Sequence, residues 1–267
     1  MKDKQNEFYT SISEYYADIF PYQPMQLQFV NSRVGEMAGK QILDIGCATG
    51  ELAFQMAKEG AKVTGIDLNE DLLQQTTGRF DSLAAHSKRE SEPDSYQVAS
   101  PNPKFQVGNM LNLESDFPPG QFDAVLCFGN TLVHLHTLDL MLQMLNGVYS
   151  VLKPGGQFLM QILNYDYILN ERVTELPLID TENIRFIRNY GLEENNPLIR
   201  FQTQLEIKKE DKIVSNETLL FALKSTELLS LLKTSGFKNI ELFSNFKQET
   251  FGGKHIPLVV SCKKLIS

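Results

Sequence analysis

One stretch constrains this chain more than any other. The apolar run Ile42-Leu43-Asp44-Ile45 is followed at once by the small-residue turn Gly46-Cys47-Ala48-Thr49-Gly50 and then by the helical run Glu51 to Lys58, with Gly60 as its cap. A short buried strand that breaks into glycines and restarts as a helix is half of a strand–helix–strand unit. Lys62-Val63-Thr64-Gly65-Ile66-Asp67 supplies the next strand, and the spacing predicts a helix over 69–80. Strand, helix, strand and helix with short connections fold into right-handed crossovers and a parallel sheet.

The rest of the chain extends that pattern. Phe105-Gln106-Val107 and Phe122 to Phe128 read as the third and fourth strands, 137–152 as a helix, and Lys153-Pro154-Gly155-Gly156 as a turn into a fifth strand, Gln157 to Leu163. Ahead of the sheet, 8–20 and 25–38 read as helices, with Pro21 and Pro24 ending the first. Segments 184–190, 198–208 and 213–223 alternate in strand fashion and predict a small antiparallel insertion or cap. Ser225 to Ser235 reads as a helix capped by Ser225 or Thr226, and the final strands, 238–246 and 257–263, as an antiparallel sheet edge. Residues 84–103, polar and proline-bearing, read as a surface loop. The expected fold is therefore α/β: a doubly wound, mainly parallel seven-stranded sheet with N-terminal helices and a small antiparallel insertion. It forms one domain over 1–267, organised as 8–38, 40–163, 184–223 and 225–267.

Composition narrows the function. At 267 residues and net charge −8 the chain repels phosphate backbones, and its basic clusters, Lys88-Arg89 and Lys208-Lys209, are diluted by acids. This argues against a nucleic-acid partner. The three widely spaced cysteines form no Cys-x-x-Cys or zinc pattern and suit a reducing compartment. With no apolar signal core at the N-terminus and no membrane-length apolar run, the expectation is a cytoplasmic protein with no membrane partner.

Small residues in the 46–50 turn let a ligand lie against bare backbone N–H groups. Asp67, at the end of the second strand, places a carboxylate where both ribose hydroxyls of a nucleoside can reach it; capping the next helix is the structural alternative. A nicotinamide dinucleotide site is a weaker match. Its glycines are spaced G-x-G-x-x-G, whereas this turn reads G-C-A-T-G followed by Glu51, an acid that opposes a pyrophosphate.

Taken in order, Ile42–Gly50, Gly65-Ile66-Asp67-Leu68-Asn69, Gly108-Asn109-Met110, Phe122-Asp123-Ala124-Val125 and Leu152-Lys153-Pro154-Gly155-Gly156 resemble the class I S-adenosylmethionine-dependent methyltransferases, with their Rossmann-like fold. The resemblance implies S-adenosylmethionine as cofactor and S-adenosylhomocysteine as product. It also implies a donor site of Asp44, Gly46, Cys47, Ala48, Gly50, Asp67, Leu68, Asn109, Met110 and Phe128. Ala48 replaces the family's middle glycine, and Asn109 replaces an aspartate that reaches the adenine amino group; an asparagine carbonyl can accept the same bond.

Cys127-Phe128-Gly129-Asn130-Thr131-Leu132-Val133-His134-Leu135 and Leu163-Asn164-Tyr165-Asp166-Tyr167-Ile168-Leu169 resemble the glycine and sarcosine N-methyltransferase subfamily. That implies Asn130 facing the methyl donor. Leu163 stands where the glycine enzymes carry an arginine for the substrate carboxylate, so glycine is an unexpected acceptor. The aromatic segment Phe8-Tyr9 and Tyr15 to Pro21 resembles the pocket-lining N-terminus of the same group. Tyr16 and His134 join Asn130 as candidates for orienting the acceptor, and Tyr9, Tyr15, Tyr165 and Arg185 as its binding residues. For the tyrosines packing is the alternative; for His134 and His136, surface or packing roles. No third ligand accompanies the two histidines, so no metal is expected. The acceptor is expected to be a small molecule, an amine; a nucleic-acid or protein methyltransferase and a nicotinamide-binding or non-catalytic protein are the competing readings. The sequence leaves the oligomeric state unassigned.

Overall fold

A computed structural model describes residues 4–76, 102–194 and 196–266. Most of the 84–103 loop and the end of the 69–80 helix lie outside the described residues. In chain order the strands are β1 (Gln41–Ile45), β2 (Lys62–Asp67), β3 (Lys104–Val107), β4 (Phe122–Cys127), β5 (Leu152–Leu163), β6 (Ile179–Asp180), β7 (Ile184–Gly191), β8 (Leu198–Ile207), β9 (Lys212–Phe221), β10 (Lys238–Phe243) and β11 (Pro257–Lys263). The helices are α1 (Lys4–Ile12), α2 (Tyr16–Ile19), α3 (Pro24–Val34), α4 (Glu51–Lys58), α5 (70–76), α6 (Leu113–Asp116), α7 (Leu138–Val151), α8 (Tyr165–Asn170) and α9 (Ser225–Thr234), with 3-10 turns at Ser13–Tyr15 and Thr131–His134.

The main sheet has seven strands in the order β10-β11-β5-β4-β1-β2-β3. Strands β1 to β5 run parallel; β11 returns antiparallel to β5, and β10 antiparallel to β11. Alternate residues go to opposite faces. Leu43, Ile45, Val125, Cys127, Phe158 and Met160 enter one buried cluster with α7 and α1, while Ile42, Ala124, Leu126 and Leu159 enter another with α3 and α4. Strands buried on both faces read as continuous apolar runs, which is why this sheet was visible in the sequence. From β1 the order runs out through β2 and β3 on one side and through β4 and β5 on the other. The reversal opens a crevice at the carboxyl ends of β1 and β4, the usual ligand position in a doubly wound sheet.

The second sheet is antiparallel, in the order β6-β7-β8-β9, and carries the insertion expected at 184–223 with one added strand, β6. Its inner face buries Ile184, Phe186, Tyr190, Phe201 and Leu205 against α1 and the main body.

Several local expectations change, among them the cap of α9, which is Lys224 and not Ser225 or Thr226. The 8–20 helix starts at Lys4 and breaks after Ile12; Ser13 Oγ donates back to Thr10 O at 3.0 Å, a side-chain bond that competes with the helical ladder. Pro24 opens α3 instead of ending the previous helix, since the first helical position needs no N–H. That helix stops at Val34 because Gly35 turns left-handed at φ +81°. The Lys153-Pro154-Gly155-Gly156 turn is a bulge inside β5: β4 pairs Phe122 with Leu152 and Ala124 with Gln157, leaving the turn residues looped out.

Candidate active site

The turn after β1 is held by its neighbour. Gly46 N and Cys47 N both donate to Ile66 O, at 2.8 and 3.1 Å, and Gly50 N closes on Cys47 O at 2.9 Å. Gly46, Ala48 and Gly50 take positive φ of 71°, 47° and 71°. A Cβ on Gly46 would meet Thr131 Oγ1 at 2.6 Å, and one on Gly50 the Phe105 ring at 2.5 Å. Glycine is thus required twice for space as well as for conformation. Ala48 adopts the left-handed region with a Cβ in place, which costs about 1–2 kcal/mol. Asp67 stabilises this conformation: its Oδ2 accepts from Ala48 N and its Oδ1 from Asn69 N, both at 2.9 Å.

Two cavities meet over this turn. The smaller, about 210 Å³, is walled by Ile66, Asp67, Leu68, Asn69, Asn109 and Met110, and reaches Tyr9 and His134. Leu68 is 41% exposed, an apolar side chain offered to a ligand plane. Asn109 Oδ1 accepts from Leu111 N at 2.9 Å, so the loop after β3 is braced by the same atom that would face an adenine amino group. The larger cavity, about 620 Å³, runs past Asp44, Cys47, Thr49 and Phe128 towards Gln161, Ile179 and Arg188. Tyr16, Gly46, Ala48 and Gly129 line both.

Electrostatically the junction is built for a cation. Asp44 is 5% exposed, and burial with the nearby Asp67 carboxylate pushes its pKa up to about 7. Asp67 is also shifted up, chiefly by burial, against the pull of its backbone bonds. Two adjacent acids penalise each other until a positive group arrives. The residues fit S-adenosylmethionine on these observations: a bare glycine cradle, an acid beside a ribose-sized recess, and an acid pair where a ligand ammonium would be neutralised.

The aromatic wall is ordered. Tyr9 OH and His134 Nε2 lie 2.9 Å apart, with ring centroids at 5.5 Å. Burial lowers the His134 pKa to about 4, helped by His136, and raises the phenols of Tyr9 and Tyr16. Those groups are neutral at physiological pH. Phe8, Ile12 and Ile19 on the same segment are essentially inaccessible. The N-terminal segment is therefore a packed wall of the site.

Several sequence candidates land elsewhere. Asn130, in a left-handed conformation, spends its amide inward: Oδ1 accepts from Leu163 N at 2.9 Å and Nδ2 donates to Tyr165 OH at 3.0 Å. Asn130 and the fully buried Tyr165 thus brace the β4 and β5 ends from behind the cavity wall. Tyr15 points away and donates to Glu210 at 2.9 Å. Arg185 is exposed on the outer face of β7, opposite Glu206 and beside Asp180, because strand alternation sends 184, 186, 188 and 190 inward and 185 outward. Gly50 shapes the turn without lining either cavity. Sequence reasoning missed Thr131, which fills the space under Gly46, and Gln161, Ile179 and the 245–249 segment at the larger cavity. Phase along β7 was the one available signal for Arg188; the 245–249 segment carried none.

A family profile described as a methyltransferase domain matches residues 36–185. Rat glycine N-methyltransferase is 31% identical over 142 residues, covering 49% of this chain and 42% of that protein. A ubiquinone biosynthesis O-methyltransferase from Xanthomonas euvesicatoria is 33% identical over 141 residues, covering 53% and 50%. The chain thus matches about half the length of these curated relatives. Among solved structures, an S-adenosylmethionine-dependent methyltransferase from Clostridium acetobutylicum superposes with TM-score 0.76 at 16% identity, covering 97% of this chain and 99% of that one. An S-adenosylmethionine-bound amino pentose methyltransferase from Micromonospora echinaspora gives 0.67 at 16%, covering 95% and 96%. At such identities the superpositions speak for the fold alone. With the profile spanning over half of the chain and the cradle in place, this chain belongs to the methyltransferase-domain family, the class I S-adenosylmethionine-dependent methyltransferases.

Proposed function

We propose that this chain methylates an amine nitrogen on a small molecule by direct displacement. S-adenosylmethionine supplies the methyl group, already activated on a sulfonium. The protein's part is then alignment and exclusion of water. In this reading Asp67 takes the ribose hydroxyls, Leu68, Asn109 and Met110 flank the adenine, and Asp44 neutralises the amino-acid ammonium. Tyr16 at the junction and Tyr9 in the smaller cavity present neutral phenols and ring faces, a surface suited to cationic groups.

The observation that carries the choice of nitrogen is the state of His134. With a pKa near 4 and Nε2 engaged by Tyr9, it is a weak base. The raised phenols of Tyr9 and Tyr16 stay protonated. An uncharged amine needs no base, whereas a hydroxyl acceptor does. O-methylation is the second reading, favoured by the similarity to the Xanthomonas O-methyltransferase. The net charge of −8 supports a small acceptor over nucleic acid. Among the described residues no helix is long and apolar enough to cross a membrane, and cytoplasmic residence belongs to the same proposal.

A thermal-shift comparison of S-adenosylhomocysteine with NAD and NADP tests the cofactor, and methylation of an amine panel against the matching alcohols tests the acceptor. Stabilisation by S-adenosylhomocysteine alone and transfer to amines alone are expected. Transfer to the alcohols alone would overturn the nitrogen reading.

A further inference from the structure

The inner face of the antiparallel sheet carries one row of polar residues among apolar ones. In register, Arg188 on β7 faces Thr203 on β8, and Thr203 faces Asn216 on β9. Asn216 is used: its Nδ2 donates to Ser11 Oγ at 2.8 Å and pins α1 to the sheet. The other two are not satisfied. Arg188 Nη2 donates to Pro177 O at 2.6 Å, which fixes the guanidinium, but its Nε is buried without an acceptor, and Thr203 Oγ1 is buried without any partner. Among the described residues no carboxylate forms an ion pair with Arg188. Arg188 as a whole is half-buried, but enclosing two donor atoms without acceptors is costly unless a neighbouring group or a ligand supplies them.

The position gives that ligand a role. Arg188 lines the larger cavity together with Ile179 and Gln161, and the same cavity ends at Tyr16, Gly46, Ala48 and Gly129, where it meets the donor recess. An acceptor with one end at this junction and an anionic group at the other would meet the guanidinium. We propose that Arg188, backed by Thr203, anchors a carboxylate on the methyl acceptor, which makes the acceptor an amino carboxylate. Arginine suits the task because its planar donors match the two oxygens of a carboxylate. Leu163, which the glycine-enzyme pattern would make the charged anchor, is apolar here, and Arg188 places the charge on the insertion sheet instead. The acceptor must span from the junction to β7, so a chain longer than glycine fits. This inference rests on the amine reading above.

The test uses two matched series on the full chain: 3-aminopropanoate, 4-aminobutanoate and 5-aminopentanoate against propylamine, butylamine and pentylamine. Methyl transfer gives kcat and KM, and calorimetry on protein saturated with S-adenosylhomocysteine gives binding without chemistry. The wild type should prefer at least one carboxylate member by tenfold or more in kcat/KM. In Arg188→Gln that preference should collapse, mainly through KM, with S-adenosylhomocysteine affinity unchanged. Arg188→Lys should restore part of it, and Thr203→Val should weaken it several-fold while leaving the fold intact. A preference that survives Arg188→Gln overturns the proposal. So does a loss of S-adenosylhomocysteine binding in that variant, because the guanidinium would then serve the donor. If neither series is methylated, Arg188-dependent binding of the carboxylates still upholds the anchor and overturns the amine reading; no carboxylate binding at millimolar concentration overturns the anchor.

Discussion

Replacing Asp44 with asparagine should strengthen the fold and weaken the donor site in the same molecule. The carboxyl is 5% exposed, and its pKa rises from 3.8 to about 7, first through burial and then through Asp67. Each pKa unit is worth about 1.4 kcal/mol, so the folded protein disfavours the charged form by up to about 4 kcal/mol. Folding raises this pKa. The stability linked to its proton is therefore fully present below pH of about 4 and is lost as pH climbs through about 7. Asparagine is close to the neutral acid in shape and never ionises. At pH of about 8.5, Asp44→Asn should gain about 2–4 kcal/mol over the wild type, a rise of roughly 5–15 °C in Tm. Near pH of about 4 the two proteins should converge. Ligand binding should move the other way. S-adenosylhomocysteine keeps the amino-acid ammonium, and losing a charge-assisted hydrogen bond costs about 1.5–3 kcal/mol, or roughly 10- to 150-fold in affinity. Urea unfolding across the pH range, paired with calorimetry, reads both effects. A variant no more stable than the wild type at high pH would refute the buried-charge argument. Unchanged affinity in a folded variant would refute the assignment of Asp44 to the ligand cation.

Asp67→Ala should weaken S-adenosylhomocysteine binding by about 1–3 kcal/mol and also loosen the turn, since Ala48 N and Asn69 N lose their acceptor; calorimetry showing wild-type affinity would reject the ribose assignment. Gly46→Ala puts a Cβ 2.6 Å from Thr131 Oγ1 at φ +71°, so donor binding should be lost and Tm should fall, with about 1–2 kcal/mol of the penalty coming from the conformation alone; an unaltered melting curve would show that the turn relaxes freely. Glycine should be a poor acceptor, because Leu163 stands where the glycine-enzyme pattern carries its arginine; efficient sarcosine formation in a steady-state assay would contradict this. A chain beginning near Met25 should lose cooperative melting and not merely turnover, because it deletes the fully buried Phe8, Ile12 and Ile19, each worth about 2–5 kcal/mol; retention of a folded, donor-binding protein would show that the segment is not part of the core.

The donor half of the proposed site could be laid out from the sequence because its determinants are local. Asp44, the Gly46-to-Gly50 turn and Asp67 each sit at the end of a strand whose apolar run declares it, and parallel pairing of β1 with β2 brings those ends together without further information. Even there the sequence could not show that Ala48 is left-handed or that Thr131 dictates Gly46, since both follow from packing across the sheet. The proposed acceptor half rests on tertiary structure. Asn130 looks like a reactive group in the chain and becomes a brace once β4 and β5 lie side by side. Arg185 and Arg188 are three residues apart, and a strand sends them to opposite faces; only the docking of one face on the core selects Arg188. Tyr9, Tyr15 and Tyr16 form one aromatic cluster in the sequence, yet the break after Ile12 turns Tyr9 and Tyr16 into the cavity and leaves Tyr15 on Glu210. Hydrophobic periodicity fixes which residues are buried within an element. Which buried face meets the reaction depends on how distant elements pack, and a one-residue change of phase there exchanges one arginine for another.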